Sequence, residues 1–435
     1  MNTDIYDFLD TKFRSLAARA RRLARLDRRS VGIRPQDEPY APSPAHFAAA
    51  NARLAEIDRH VRTQLRTLSR ELRSPGTSFD GLLRKAALVE REVDRARRAY
   101  GLFFDVFIQR GTTFAPALAA CDSIAQDCFQ VVRRAAPGLI HGPLLKPVTY
   151  LEHSFSPATF RRGVMLRRLL GERNPFPLVR VPYERIESPW GLGVVLHEIG
   201  HNLQADLTVW QETQAAVQRR VFQVSRNAWL TRIWTRWHKE IFADLIAILL
   251  GGPASARSMK DFLAYPAARV LSFRPLSVHP TPYLRMFIQA EMLRRMGFGS
   301  DARRIQRIWG TLYAAHVPRG RVPPALVATA SRIIPHVVDE IAYQPRRNLG
   351  QRALVDVVPF AATDERTIQR AAPSIARGVL PPELPPRFAV SASRYAFERR
   401  LASAGVISRT VLTGLARRGA AQAPGRPAAT IRAVA

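Results

Sequence analysis

The sequence predicts a mainly α-helical α+β protein, in which several helical regions surround a small mixed sheet. Apolar residues recur at spacings of three and four over long stretches, for example over residues 54–72 and 82–107. This spacing is the period of an amphipathic helix. Residues 178–183 instead alternate as a strand does, and their proline suits the edge of a sheet.

The N-terminal part is expected to be helical. Residues 1–45 predict a basic helical arm, which we expect to be mobile, followed by a proline-rich linker. Residues 46–136 predict a helical bundle, composed of a helical hairpin and a third helix over residues 115–134.

The functional core is expected to follow this bundle. Proline and glycine interrupt the helical period between residues 137 and 177, so we assign residues 137–318 to a new domain. Residues 319–416 predict a C-terminal helical region with proline-rich breaks. Residues 417–435 are rich in Ala, Gly, Pro and Arg, and we expect them to be disordered.

The 435-residue chain carries a net charge of +31, but only five of its 66 basic residues are lysines. Alanine and proline are also abundant, which is typical of codon usage in a G+C-rich genome. We therefore attribute most of the charge to solvated helix faces rather than to a dedicated nucleic-acid surface. A field of this size still attracts acidic partners, so we expect non-specific contacts with nucleic acid or anionic surfaces through the arginines.

The cysteines and the hydropathy pattern indicate a cytoplasmic protein. Cys121 and Cys128 lie seven residues apart on an apolar helical stripe and lack the CxxC spacing of zinc ribbons or redox pairs. The N-terminus has no basic start followed by an apolar run, as a signal peptide would. No stretch reaches the roughly 18 apolar residues that span a bilayer. No feature of the sequence indicates the oligomeric state.

The most informative segment is His197-Glu198-Ile199-Gly200-His201. Two histidines four residues apart on a helix lie one turn above each other, so both imidazoles can reach one Zn²⁺. Glu198 would then lie beside the open coordination position of the metal, where it can take a proton from zinc-bound water. Metallopeptidases generate their nucleophile in this way.

A zinc ion held by two histidines needs a third protein ligand. Leu207 occupies the position where a metzincin has its third histidine, and the distant cysteines exclude a deformylase-like site. The best candidate is Glu240, because it shares a helical face with Asp244, which can accept the distal N–H of a ligand histidine. These two acids could instead pair with arginines. However, the apolar residues 245–250 place their helix in the core, where buried carboxylates need strong partners.

The distribution of basic residues agrees with such a site. Arginine and lysine are frequent elsewhere but absent from residues 186–218 and 240–256. A site that holds Zn²⁺ and an ionised Glu198 is expected to exclude cations that would compete for its carboxylates. Core helices are also poor in charged residues, so the depletion supports the zinc site without deciding it.

The two motifs together resemble a known group of enzymes. HEIGH at residues 197–201, followed by Glu240-Ile-Phe-Ala-Asp244, is similar to the gluzincin clan of zinc metallopeptidases, typified by thermolysin. The Leu-Leu-Gly-Gly-Pro that follows also resembles ImmA/IrrE-type and HtpX/CAAX-type peptidases, although this chain lacks the membrane spans of the CAAX type. The resemblance covers residues 177–285 and implies a zincin-like core with His197, His201 and Glu240 as the metal ligands.

The resemblance also implies a residue that helps to stabilise the tetrahedral intermediate. The segment from His279 to Arg285 resembles the His-Pro…Arg element that follows the metal helices in HtpX-like enzymes. His279 or Tyr283 could donate a hydrogen bond to the oxyanion. Arg285 could orient an acidic group or have a structural role. The alternative is a proline-rich helix start with a surface histidine.

The sequence therefore predicts a zinc-dependent metallopeptidase that hydrolyses a protein or peptide substrate, with Glu198 as the general base. One alternative is a nucleic-acid-associated binding protein with a structural or vestigial zinc site. A structural site, however, would not need Glu198 beside the first histidine. Another alternative is a zinc hydrolase that acts on a non-peptide amide.

Overall fold

A computed structural model describes residues 3–421, apart from residues 22, 24, 75, 77, 141–144, 154–157 and 162–172. Helices account for 74 % of the structure and accompany one small three-stranded mixed sheet within the described residues. The predicted mainly helical α+β class is therefore confirmed. Among the described residues, no helix has both the length and the apolar character needed to cross a bilayer.

The described residues form two compact units. One holds those within Met1–Leu118, Phe160–Leu178 and Ala420–Ala435, and the other holds those within Ala119–Thr159 and Val179–Gly419. The core motif and the C-terminal helices thus belong to a single unit, whereas the sequence analysis divides them at residue 318.

The first unit is built on three helices, α1 (Thr3–Arg21), α2 (Pro44–Leu72) and α3 (Phe79–Ile108). Leu9, Phe13 and Leu16 of α1 are buried in one core with residues of α2 and α3, such as Val61 and Val89. The expectation of a mobile N-terminal arm is therefore wrong. The apolar stripe of α1 is the face that packs on the hairpin.

The remaining elements follow in chain order. They are α4 (Ala115–Ala135), β1 (Val148–Glu152), β2 (Ala158–Phe160), β3 (Leu178–Pro182), α5 (Tyr183–Ile186), α6 (Gly193–Asp206), α7 (Trp210–Ser225), α8 (Ala228–Gly251), α9 (Pro253–Leu263), α10 (Ala267–Val270), α11 (Pro282–Arg295), α12 (Gly299–Tyr313), α13 (Pro324–Val338), α14 (Leu354–Val357), α15 (Ala362–Ala376), α16 (Pro386–Glu398) and α17 (Ala404–Ala421). Short 3₁₀ or π turns occur at Pro35–Tyr40, Gln109–Gly111, Pro189–Gly191, Ala314–Arg319, Asp339–Tyr343 and Arg347–Leu349.

Helix α4 belongs mainly to the second unit and not to the N-terminal bundle. Two of its aspartates explain why. Asp122 accepts a hydrogen bond from the backbone N–H of Thr149 at 2.7 Å, and Asp127 accepts one from the Arg387 guanidinium at 2.8 Å. Buried polar groups need such partners, and these partners lie in the second unit.

The end of the chain also differs from its prediction. Helix α17 continues to Ala421, so the first five residues of the segment predicted to be disordered are helical. The rest of that segment, residues 422–435, lies outside the described residues.

The strand order in the sheet is β1-β3-β2, so β3 is the central strand. The prediction of an edge position for this strand is wrong. Pro182 is its last residue, where a missing N–H does not interrupt the ladder. Leu178, Val179 and Val181 are fully buried, as expected for a central strand.

Helices α6 and α8 approach each other closely at Gly200. A Cβ at this position would lie 3.0 Å from both the Cα and the carbonyl oxygen of Ala243. Glycine at 200 and alanine at 243 therefore allow a backbone-to-backbone contact that larger residues would prevent. This contact brings the HEIGH face of α6 against α8.

We predict that Gly200→Ala destabilises the protein. The atoms that meet the new methyl group are backbone atoms, which cannot rotate away, so overpacking should cost about 1–3 kcal/mol. This cost exceeds the roughly 0.5–1 kcal/mol that alanine gains over glycine inside a helix. The measurement is the free energy of unfolding in urea.

Gly310→Ala is the matched control, because Gly310 lies inside α12 and a Cβ there meets no atom within 4 Å. We expect this variant to be as stable as the wild type or slightly more stable. Equal stability of Gly200→Ala and Gly310→Ala would contradict the close packing of α6 on α8.

Candidate metal centre

Helix α6 presents His197 and His201 on one face. Their ring centroids lie 4.9 Å apart with an interplanar angle of 83°, and both side chains are buried. Residues four apart on a helix occupy neighbouring turns of the same face, so this arrangement follows from local structure alone.

Helix α8 brings a carboxylate to the same point. Oε2 of Glu240 lies 3.3 Å from Nε2 of His197, and Oε1 lies 3.5 Å from Nε2 of His201. The ligand atoms of the three side chains all lie within 4.8 Å of one another. The three residues predicted as ligands are thus brought together, and the group can hold a metal ion.

Two imidazoles and one carboxylate form a donor set that suits a divalent cation. Three buried carboxylates, of Glu198, Glu240 and Asp244, surround this point. The buried Arg285 compensates Asp244, and a bound dication would compensate Glu240.

Asp244 connects a metal-site histidine to Arg285. Its Oδ1 lies 2.9 Å from Nδ1 of His197, on the side of the ring opposite Glu240. The Arg285 guanidinium donates one hydrogen bond to each carboxylate oxygen of Asp244, at 2.6 and 2.7 Å. A carboxylate in this position fixes the tautomer and orientation of a ligand imidazole, and the bidentate arginine fixes the carboxylate.

Mutual hydrogen bonding governs the pKa values of this group. Burial opposes charge on His197, but hydrogen bonds to Asp244 and Glu240 raise its pKa to about 9. Burial lowers the pKa of His201 to about 4. Burial also opposes ionisation of Glu240, yet hydrogen bonds with both histidines hold its pKa far below the usual range. Glu240 is therefore an anion, as a metal ligand must be.

Glu198 lines the same cavity as His197 and Glu240. It is almost completely buried, and burial raises the pKa of its carboxyl to about 7. A carboxyl group with such a pKa can both accept and release a proton near neutrality.

The cavity has a volume of about 380 Å³ and lies between α6, α8, α9 and the start of α11. Apolar side chains of α9, including Met259 and Phe262, form one wall, and residues 272–282 form another. Polar side chains share the lining, and they include the arginines Arg269, Arg274 and Arg285. Concave sites that combine apolar and polar groups are typical of ligand sites.

The structure separates the two candidates for oxyanion stabilisation. Nε2 of His279 lies 3.3 Å from Oε2 of Glu240, at the cavity mouth, where the side chain remains 58 % exposed. Tyr283 does not line the cavity. Its ring centroid lies 5.1 Å from that of Phe287, one turn along α11. Pro282 and Arg285 line the cavity, and Tyr283 lies on a different face of the same helix. His279 is thus brought to the site, and Tyr283 is not.

A link between α6 and the sheet is not evident from the sequence. The Asn202 amide donates to the Thr159 hydroxyl of β2 at 2.7 Å and to the Glu198 carbonyl oxygen at 3.2 Å. An asparagine directly after the second histidine is the only local signal, and it does not identify a partner 43 residues away. His238, in contrast, points elsewhere as predicted, with Nε2 2.7 Å from Oγ1 of Thr213.

No protein-family model, curated protein or solved structure matches this chain. The likeness to gluzincins therefore rests on the two sequence motifs alone.

We predict that the purified protein binds one divalent ion per chain and that Glu240→Gln abolishes this binding. Glutamine keeps the size of the side chain but removes the charge that opposes the ion. The measurements are metal analysis after dialysis and the rise in melting temperature on adding Zn²⁺ to the metal-free protein.

His316→Ala is the control, because His316 is exposed and lies outside the metal group. It should retain one ion per chain. Full metal content in Glu240→Gln would show that Glu240 is not a ligand.

We predict a different result for Asp244→Asn. Metal affinity should fall by about 10–100-fold, because the orientation of His197 is lost while all three ligands remain. The metal-free protein should also lose about 3–5 kcal/mol of unfolding free energy, because the buried Arg285 loses its counter-charge. Calorimetric titration with Zn²⁺ and urea unfolding measure the two effects. An unchanged affinity would argue against an orienting role.

Proposed function

We propose that this protein is a zinc-dependent metallopeptidase of the gluzincin type. The observation that carries the proposal is the position of the Glu240 carboxylate opposite both histidines of HEIGH, in a cavity that Glu198 also lines. His197, His201 and Glu240 would hold the ion. Bound Zn²⁺ would supply Lewis acidity, which lowers the pKa of water and polarises a carbonyl group.

Glu198 would act as the general base. Its carboxylate would accept a proton from the water that attacks the scissile carbonyl and would pass it to the leaving amine. Burial favours the second step, because it raises the affinity of the carboxylate for the proton. His279, at the cavity mouth, is positioned to donate a hydrogen bond to the developing oxyanion.

The geometry favours this proposal over a structural zinc site. Structural zinc is normally closed by four protein ligands, whereas three ligand side chains converge here among the described residues. The group also borders a cavity and contains a carboxyl with a pKa near neutrality, which a structural site does not require.

We also propose a cytoplasmic location. Cys121 and Cys128 are both buried thiols, and burial raises the pKa of the Cys128 thiol far above its usual value. Unreactive reduced thiols of this kind are typical of reducing compartments.

We predict that Glu198→Gln retains one metal ion per chain but loses peptidase activity by a factor of about 10²–10⁴, the usual contribution of general acid–base catalysis. The amide has nearly the same shape as the carboxylate but cannot take up the proton. The assay is mass-spectrometric detection of cleavage in a mixed peptide library.

Three conditions serve as controls. Chelated wild type should be inactive, and zinc should restore it. His316→Ala should cleave the library at the wild-type rate. Wild-type cleavage by metal-loaded Glu198→Gln would rule out this mechanism.

A further inference from the structure

A second concave surface adjoins the metal cavity. It is a groove of about 780 Å³ between α7 and α8, which we call the α7–α8 groove. Trp210, Gln214 and Phe222 of α7 form one side, and residues of α8 from Ala228 to Lys239 form the other.

The α7–α8 groove is strongly basic. Arg219, Arg232, Arg236 and Lys239 all line it, and no acidic residue does. Within the part of the chain that the structure describes, no ion pair joins any of these four side chains to a carboxylate. Arg236 donates to the carbonyl oxygen of Pro275, which leaves its charge uncompensated. The groove thus presents four positive charges to whatever enters it.

The groove leads towards the proposed catalytic residues. Val278 lines the groove, while its neighbours Ser277 and His279 line the metal cavity. Lys239 lines the groove, while the next residue, Glu240, belongs to the metal group.

We propose that the α7–α8 groove binds acidic side chains of an extended polypeptide whose backbone continues past residues 277–279 into the metal cavity. The substrate class is therefore an acidic polypeptide. This inference rests on the proposed peptidase function and adds to it the feature by which substrates are selected. The exposed Gln218 supplies an additional amide donor for carboxylate oxygens.

Charge placement favours a polypeptide over a single-stranded nucleic acid. A nucleic acid carries a negative charge on every backbone unit and would bring phosphates beside the buried carboxylates of Glu198 and Glu240. An acidic polypeptide keeps its charges on side chains and presents a neutral amide there.

The aromatic residues support the same choice. Strand-binding grooves stack bases on open ring faces. In this groove Trp210 is half-buried, with its ring edge-on to His238 at 5.6 Å, and only Phe222 is exposed, at 45 %.

The test uses the full-length, zinc-loaded Glu198→Gln protein, so that binding is measured without cleavage. The probes are a fluorescent glutamate-rich peptide, its glutamine counterpart of equal length, and fluorescent oligothymidylate. We expect the glutamate peptide to bind at least about tenfold more tightly than the glutamine peptide at low salt, and its affinity to fall as salt rises.

Arg232→Gln/Lys239→Gln, added to Glu198→Gln, should reduce affinity for the glutamate peptide about tenfold and weaken its salt dependence. The matched control is Arg304→Gln/Arg307→Gln, which removes the same charge from exposed positions of α12. It should bind as Glu198→Gln does. Metal content and circular dichroism verify that each variant is folded.

Three results would overturn the inference. They are equal losses in both double variants, equal affinity for the glutamate and glutamine peptides, and tighter binding of oligothymidylate that depends on Arg232 and Lys239. The proposed function is tested separately. If the glutamate peptide binds as expected but the zinc-loaded wild type never cleaves it, the peptidase proposal fails while the ligand class of the groove stands.

Discussion

The candidate site depends on the close contact between α6 and α8. Gly200 lacks a side chain where it meets the backbone at Ala243, so the two helices approach closely enough for Glu240 to reach both histidines. His197 and His201 are both buried at this contact. Burial strengthens the electrostatic interactions of the group and is the largest single influence on the pKa values of its members.

Charge balance is the second organising feature. Burying three carboxylates together is unfavourable unless positive charge compensates them, and Arg285 compensates one. His197, with its raised pKa, is protonated in the metal-free group and compensates Glu240, and a bound dication would take over this role. Other cations lie close to the site, and Arg269 and Arg274 line the metal cavity itself. The basic residues that are absent from residues 186–218 resume at Arg219, and Lys239 directly precedes the second depleted segment, so that both line the α7–α8 groove.

Much of the candidate site is predictable because its residues are four apart within single helices and therefore share a helical face. His197 and His201 share a face of α6, and Glu240 and Asp244 share a face of α8, as their separations require. Nearness in the chain, in contrast, does not show that two side chains reach the same site. Tyr283 lies close to His279 in the chain, but the start of α11 at Pro282 turns its ring towards Phe287. The proline of β3 indicated an edge, yet β3 is central, because strand order depends on contacts that a single strand does not encode.

The sequence by itself determined the helical class, the shared faces of His197 with His201 and of Glu240 with Asp244, and the position of Glu198 beside the first histidine. Periodicity is local, so it fixes which residues share a face of one element. Only the tertiary structure decided that the two faces meet, that Arg285 forks onto Asp244, and that a cavity and a basic groove adjoin the metal group. Those features depend on packing between segments far apart in the chain, and packing is set by the shapes of all the side chains at the contact.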